Sequence, residues 1–357
     1  MRGVEKNILM VGEMKNRENF LRKENSMHVE YPNRIKMANI PTPLRKAERI
    51  SRETGVDIFI KRDDMTGIEL SGNKVRKLEF LLAEARDEGA DAIVTCGGIQ
   101  SNHCRATAAA CVRLGFKCHL VLRGEKPEAP YDGNLLLDHL LGAQISYQSP
   151  DEFRKNLSAG FPGVMEKLRS EGKKPFFFPV GGSVPTGCWG YVRAFDEILD
   201  QLRKLNIKRA RFVVAVGSGG THTGLVLGSR LLKRPEFHVT GFNVTSTPEE
   251  FRKDNALLFR ETAETFHLSV EADEDDFELI GDYVGPGYAQ PYPELMKTIK
   301  KVALTEGVLL DPVYTGKAFH GLLEEIRKGN ITAEEPVIFI HTGGVFGLFP
   351  QREMFEL

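Results

Sequence analysis

Ser71-Gly72-Asn73-Lys74-Val75-Arg76-Lys77-Leu78 carries the chain from a small flexible turn straight into an amphipathic helix. Val75, Leu78, Leu81, Leu82 and Ala85 recur on one stripe at helical spacing, and Gly89 supplies the stop. The apolar run Ala92-Ile93-Val94-Thr95 then has the length and β-branched content of a buried strand. Outward from this pair the alternation repeats. It predicts a helix over 102–114, a strand over 118–122, a helix near 133–141 and a strand over 144–147. A strand over 176–180, a helix over 187–205 and a strand over 212–216 continue it. Short apolar strands separated by helices of this length mean βαβ units and a parallel sheet covered on both faces, so the fold class is α/β.

Upstream, Pro41-Thr42-Pro43-Leu44 reads as a rigid extended lead-in, because each proline fixes its own φ and pushes its predecessor out of the helical region. Residues 57–61 form a compact strand that Arg62-Asp63-Asp64 ends. Residues 1–36 are charged and aperiodic and read as an arm lying on the main body or on a second subunit. Downstream come a helix over 293–305, a strand-like Val308-Leu309-Leu310, a helix over 317–327 and a final strand over 337–340. The acidic run at 271–278 reads as a solvated face.

With 357 residues, 41% hydrophobic and 27% charged, the chain can bury a large core as one domain or two. A net charge of -1 leaves no cationic excess to neutralise a phosphate backbone, which excludes nucleic acid as a partner. Cys96, Cys104, Cys111, Cys118 and Cys188 are odd in number and lack a C-x-x-C pair, which argues against a disulfide framework and a zinc site. They read as buried thiols in a reducing compartment. The apolar run at 8–11 is too short for a signal segment or a membrane span, so the expectation is a cytoplasmic enzyme.

Three glycine-bearing turns follow strands, at Cys96-Gly97-Gly98, Gly217-Ser218-Gly219-Gly220 and Thr342-Gly343-Gly344, and all three are expected to open onto one carboxyl edge of a sheet. Gly217-Ser218-Gly219-Gly220-Thr221 between a strand and a helix is a phosphate cup, with free backbone N–H groups at the positive helix end and two hydroxyls. It lacks the third glycine of a dinucleotide fingerprint, which falls on His222, and the G-K-S/T of a Walker loop. Gly97-Gly98-Ile99-Gln100-Ser101-Asn102-His103 crowds polar side chains onto a second strand-to-helix turn. Ser101 or Asn102 alone would serve as a helix N-cap, but four polar groups in succession exceed what capping requires. Gly285-Pro286-Gly287-Tyr288 and Asp311-Pro312-Val313-Tyr314-Thr315-Gly316 each end a turn near a tyrosine suited to proton transfer. Lys74 is a useful nucleophile only if burial or neighbouring cations lower its pKa, and Arg76 and Lys77 follow within three residues. An amine for a Schiff base, a cup for one phosphate and hydroxyls around a planar ring describe a site for pyridoxal phosphate.

These motifs, with Asp-Pro-Val-Tyr-Thr-Gly-Lys at 311–317 and His-Thr-Gly-Gly at 341–344, resemble the D-cysteine desulfhydrase and 1-aminocyclopropane-1-carboxylate (ACC) deaminase family. The similarity runs over 41–347 in five ordered motifs. The resemblance implies pyridoxal-phosphate enzymes of the tryptophan-synthase-β fold type: two open, mostly parallel twisted sheets, the cofactor in the cleft between two domains, and a homodimer. It implies a large domain from 1–76 and 186–357 and a small one from 77–185. It makes Lys74 the lysine joined to the cofactor and puts Lys77 near the phosphate. Ser101 and Asn102 hold the substrate carboxylate and the ring, with His103 beside them, and Tyr288 and Tyr314 face the substrate. ACC deaminases carry glutamate after Val-Tyr and leucine after the last-strand histidine, where this chain has Thr315 and Thr342. A hydroxyl leaves the ring nitrogen largely neutral, a weaker electron sink that suffices to expel a thiolate and not to open a cyclopropane. The expected reaction is therefore α,β-elimination of D-cysteine to pyruvate, ammonia and hydrogen sulfide. ACC deamination and elimination from another β-substituted alanine such as cysteate are the alternatives. Lys74 is the first candidate base, Ser101 and Tyr288 are the others, and Tyr314 orients the substrate or assists the leaving group.

Overall fold

Strands buried on both faces need neighbours on both edges, and this chain supplies them in two separate sheets. A computed structural model describes residues 29–245 and 247–355, so most of the expected N-terminal arm lies outside the described residues. The strands are β1 (Leu44–Lys46), β2 (Ile58–Lys61), β3 (Ala92–Gly98), β4 (Lys117–Arg123), β5 (Gln144–Gln148), β6 (Pro175–Phe177), β7 (Ala210–Val216), β8 (Phe237–Asn243), β9 (Glu278–Ile280) and β10 (Val337–Ile340). The helices are α1 (Glu48–Thr54), α2 (Asn73–Asp87), α3 (Asn102–Leu114), α4 (Gly133–Leu140), α5 (Pro150–Leu157), α6 (Pro162–Ser170), α7 (Pro185–Lys204), α8 (Gly220–Leu231), α9 (Pro248–Thr265), α10 (Pro293–Glu306) and α11 (Thr315–Arg327). One sheet has the order β1-β2-β10-β7-β8-β9, parallel except for the β1–β2 pair. The other has the order β5-β4-β3-β6 and is parallel throughout.

Each sheet has its own apolar core. Ile58, Ile60, Val213, Phe339 and Leu322 belong to the core of the six-stranded sheet, and Leu78, Leu81, Ile93, Leu120 and Ala108 to that of the four-stranded sheet. The α2 stripe read from the sequence faces this second core, with Val75, Leu78, Leu81, Leu82 and Ala85 all buried. Residues 32–38 run along α2: the Ile35 N–H donates to the Glu79 carbonyl at 2.8 Å, and the Met37 and Ala38 N–H groups donate to the Glu79 carboxylate at 2.6 and 2.9 Å.

Helix α7 packs between α2 and α8 at two glycines. A Cβ on Gly190 would lie 2.6 Å from the Arg76 carbonyl carbon, and one on Gly224 of α8 would lie 2.5 Å from the Cys188 carbonyl oxygen. Below this contact sits a buried polar network. The Arg76 guanidinium donates to Asp63 at 2.8 and 2.9 Å and to Glu197 at 2.9 and 3.0 Å, while Tyr191 donates to Asp63 at 2.6 Å. Lys61 donates to the Thr42 carbonyl and to Gln201, both at 2.8 Å, and pairs with Glu197. Burial alone would raise the Asp63 carboxyl, but Arg76 and Lys61 bring it below its ordinary value.

The structure differs from the sequence reading at several places. Strand β3 continues through Gly97 and Gly98, residues expected in a turn, and 308–310 forms no strand although Val308 and Leu310 are buried. Helices α1, α5, α6 and α9 and strands β1, β8 and β9 are additional. Strand β8 interrupts its apolar residues with His238, Thr240 and Gly241, so no continuous run announces it. Among the described residues no helix is long and apolar enough to cross a membrane.

Gly190→Ala should destabilise the fold by about 1–3 kcal/mol, because α7 must move off α2 to admit one methyl group. Denaturant unfolding measures this, and an unchanged midpoint would mean that the contact has room to spare.

Candidate active site

A cavity of about 430 Å³ opens where the carboxyl ends of β3 and β7 and the turn after β10 converge. Gly97, Gly98, Gly217, Ser218, Gly219 and Thr342 all line it. The three glycine turns thus share one space, as expected, but they reach it from two sheets and not along the edge of one. No carboxylate is among its described lining residues.

Lys74 projects into this space from the first turn of α2. The turn is pinned at its start: the Asn73 N–H donates to the Thr342 carbonyl at 3.0 Å, and Asn73 Nδ2 donates to Thr221 Oγ1 at 2.9 Å. A Cβ on Gly181, whose φ is +70°, would stand 3.3 Å from Lys74 Nζ and 2.3 Å from Ser218 Oγ, so only glycine lets amine and cup approach. Lys74 keeps some area exposed to the cavity, yet burial pushes its amine down to about 8. The expected help from Arg76 is absent, because that guanidinium turns away to Asp63 and Glu197.

The cup is built from the loop 217–219 and the N-terminus of α8. Lys77, one turn after Lys74, sends Nζ to the Gly181 carbonyl at 3.2 Å and to Ser183 Oγ at 3.3 Å. Ser183 Oγ in turn donates to Ser218 Oγ at 3.0 Å and accepts the Gly220 N–H at 3.1 Å. Burial, and Lys74 beside it, hold the Lys77 amine well below the usual lysine range. An anion placed here would reverse that penalty. Cβ atoms on Gly219 and Gly220 would lie 2.1 Å from Asn255 Oδ1 and 2.7 Å from Lys77 Nζ. The cradle therefore exists only with glycines, and its donor set suits one phosphate.

Ser101 is the N-cap of α3, its Oγ accepting the Cys104 N–H at 3.2 Å, and it lines the cavity as well. Asn102 accepts from Asn134 Nδ2 at 3.0 Å. Thr95 Oγ1 donates to the Phe178 carbonyl at 2.8 Å, so it accepts from His103 Nε2–H at 2.9 Å, which leaves His103 Nδ1 buried with no partner. Burial, then Lys74 and Lys77, keep this imidazole well below its ordinary pKa and hence neutral. Tyr288 and Tyr314 reach the same wall from distant turns, and their oxygens lie 2.5 Å apart. Burial raises both phenols, so they meet as neutral groups sharing one proton in a hydrogen bond and keeping a second.

Thr342 lines the cavity, whereas Lys77, Gly220 and Thr315 stand behind its wall. Thr315 is fully buried, and its hydroxyl donates to Asp311 Oδ1 at 2.7 Å and accepts the Asp311 N–H at 2.8 Å. That hydroxyl is not free: with its proton given to Asp311 it has only acceptor capacity left. Residues that the sequence reading passed over also line or support the site: Asn73, Gly181, Ser183, Arg123, His222 and Asn255. Val180-Gly181-Gly182-Ser183 carried a legible signal, a further glycine pair following a strand.

A partly buried amine facing an anion cradle across the ends of two mostly parallel sheets fits a pyridoxal-phosphate site. The chain belongs to the pyridoxal-phosphate dependent enzyme family, whose model matches residues 35–343. It is 44% identical over 321 residues to the mitochondrial bifunctional D-cysteine desulfhydrase/1-aminocyclopropane-1-carboxylate deaminase of Arabidopsis thaliana, covering 88% of this chain and 78% of that one. It is 40% identical over 324 residues to the D-cysteine desulfhydrase of Salmonella typhi, covering 88% and 95%. A solved structure described as an ACC deaminase homologue superposes with a TM-score of 0.82 at 40% identity, covering 91% of this chain and 95% of that one. The cofactor is pyridoxal 5'-phosphate.

As the amine that would carry the cofactor, Lys74 would react only in its unprotonated form. Reconstitution of the apoprotein should therefore accelerate with pH around a midpoint near 8. Stopped-flow absorbance checks this; a rate still climbing toward pH ~10.4, the ordinary lysine value, would contradict a desolvated amine.

Proposed function

We propose that this protein catalyses α,β-elimination of D-cysteine to pyruvate, ammonia and hydrogen sulfide, as a carbon–sulfur lyase. The observation that carries this reading is the partly desolvated Lys74 amine, without a counter-ion, facing the glycine cup across Gly181. In the proposal Lys74 holds the cofactor through its amine, Lys77 and Gly217, Ser218, Gly219, Gly220 and Thr221 hold the phosphate, Asn102 flanks the ring, and Thr315 backs the wall behind it. When bound, the cofactor withdraws electrons from the substrate α-carbon and so acidifies its proton.

The chain's own groups supply the rest. The N-terminus of α3, with Ser101, Asn102 and His103, receives the substrate carboxylate; the positive helix end and the absence of any lining carboxylate favour an anion there. Lys74, as a free amine, is the first candidate to take the α-proton, with Ser101 and Tyr288 as the others. Tyr314 orients the substrate or gives a proton to the departing sulfur, and the neutrality of the tyrosine pair supports this role. Thr342 borders the substrate.

ACC deamination is the second reading, favoured by the names of the Arabidopsis relative and of the solved structure. With threonines at 315 and 342 and no carboxylate lining the described cavity, the ring would have no acidic partner, which argues for thiol elimination. Elimination from cysteate is the third. We further propose a cytoplasmic homodimer. Its large domain comprises 1–76 and 186–357 and its small domain 77–185, a division supported by the presence of β3 to β6 in the four-stranded sheet alone.

The purified enzyme should release hydrogen sulfide and pyruvate from D-cysteine and not from L-cysteine, as lead acetate and lactate dehydrogenase assays would register. 2-Oxobutanoate from ACC with no sulfide from D-cysteine would transfer the assignment to the second reading. Lys74→Ala should lose the absorbance of the protein-linked cofactor and roughly 10³-fold or more in turnover. Full turnover with an unchanged spectrum would remove Lys74 from the mechanism.

A further inference from the structure

Lys317 lies in the first turn of α11, where a cation faces the positive end of the helix dipole. It is fully buried and forms no ion pair among the described residues, and burial lowers its amine to about 8. Both features cost stability, and both become intelligible from what Nζ touches. It donates to the carbonyls of Val284 and Gly287, each at 2.7 Å, and Gly287 directly precedes Tyr288. At this bend Gly287 has a φ of +155°, and its carbonyl also accepts the Gln290 N–H at 3.2 Å. At the other end of the same segment, Asp311 accepts the N–H groups of Val313 and Tyr314 at 2.9 Å and of Thr315 at 2.8 Å, fixing the turn that carries Tyr314. One stretch, 311–317, thereby holds both phenols, whose oxygens meet at 2.5 Å.

We propose that Lys317 is a positioning residue: by gripping the carbonyls of Val284 and Gly287 it sets the Tyr288 hydroxyl against that of Tyr314 at the substrate end of the cavity. This rests on the role given to Tyr288 above. Lysine suits the task because one compact ammonium reaches two carbonyls from a flexible stem, whereas a planar guanidinium is built for carboxylates.

The test is a double-mutant cycle on the holoenzyme with Lys317→Met and Tyr288→Phe, assayed on whichever of D-cysteine or ACC the wild type turns over. Lys317→Met should lower kcat on the order of 100-fold, as for a catalytic group displaced by about an ångström, with KM changed less than about threefold. The double variant should be no slower than the slower single variant. Lys317→Arg, which keeps donors, should recover about tenfold of the loss. The absorbance and affinity of the bound cofactor should be retained in Lys317→Met, because Nζ is spent on the carbonyls of Val284 and Gly287 and not on Lys74 or the cup. Additive losses in the cycle, or full kcat in Lys317→Met, would overturn the proposal while leaving Tyr288 in place. Full kcat in Tyr288→Phe would instead remove Tyr288 from the mechanism and the proposal with it. If Lys317→Met does not accumulate folded, Lys317→Gln takes its place in the same cycle and is read in the same way.

Discussion

Arg76 is held by two carboxylates at once inside the protein, and the position of the Lys74 amine depends on that grip. Asp63 comes from the end of the β2 segment, Glu197 from α7 and Arg76 from α2, so three elements are tied at one guanidinium two residues past Lys74. Two cations, Arg76 and Lys61, face two anions, and the buried group is close to neutral as a whole. Such a network adds little net stability over an apolar core of equal volume, but breaking one member leaves an uncompensated charge at about 3–5 kcal/mol. Its value is geometric: α2 can sit in one register only.

Lys74 is the opposite case. Among the described residues no carboxylate meets it, and the pull of its cationic neighbours, which the sequence suggests, is cancelled where Arg76 is already neutralised. What lowers its pKa is the loss of water. Such an amine is poised as a nucleophile at neutral pH, and Lys74 would be held where a carbonyl group could take it. The same logic extends to Lys77 and Lys317, buried amines satisfied by carbonyl and hydroxyl oxygens and not by acids. The site is cationic in potential and short of protons, which suits a phosphate at one end and an amino-acid carboxylate at the other.

Close approach makes this arrangement possible. Gly190 and Gly224 let three helices touch backbone to backbone, Gly181 brings the second sheet's return loop against the cup, and Gly219 admits Asn255. Each is a place where a single methyl group would separate parts that must work together. The tyrosines show the same dependence at longer range: 26 residues apart in the chain, they share a hydrogen bond because 311–317 fastens both turns.

By itself the sequence determined the α/β class, because apolar runs of strand length alternating with helical stripes have no other economical packing. It also made the anion cup and Lys74 candidates, since glycines at a strand-to-helix turn and a lysine opening a helix are local chemistry, legible without neighbours. Strand β8 escaped because its polar positions are satisfied only by its neighbours in the sheet, as where Thr240 meets Arg211 and Glu278. Tertiary structure alone decided that the glycine turns belong to two sheets, that Arg76 is spent on Asp63 and Glu197, and that the Thr315 hydroxyl is committed to Asp311. The physical reason is common to all three. The free energy of a charge or a hydroxyl is set by the partners and the water around it, and those come from parts of the chain that sequence spacing does not bring together.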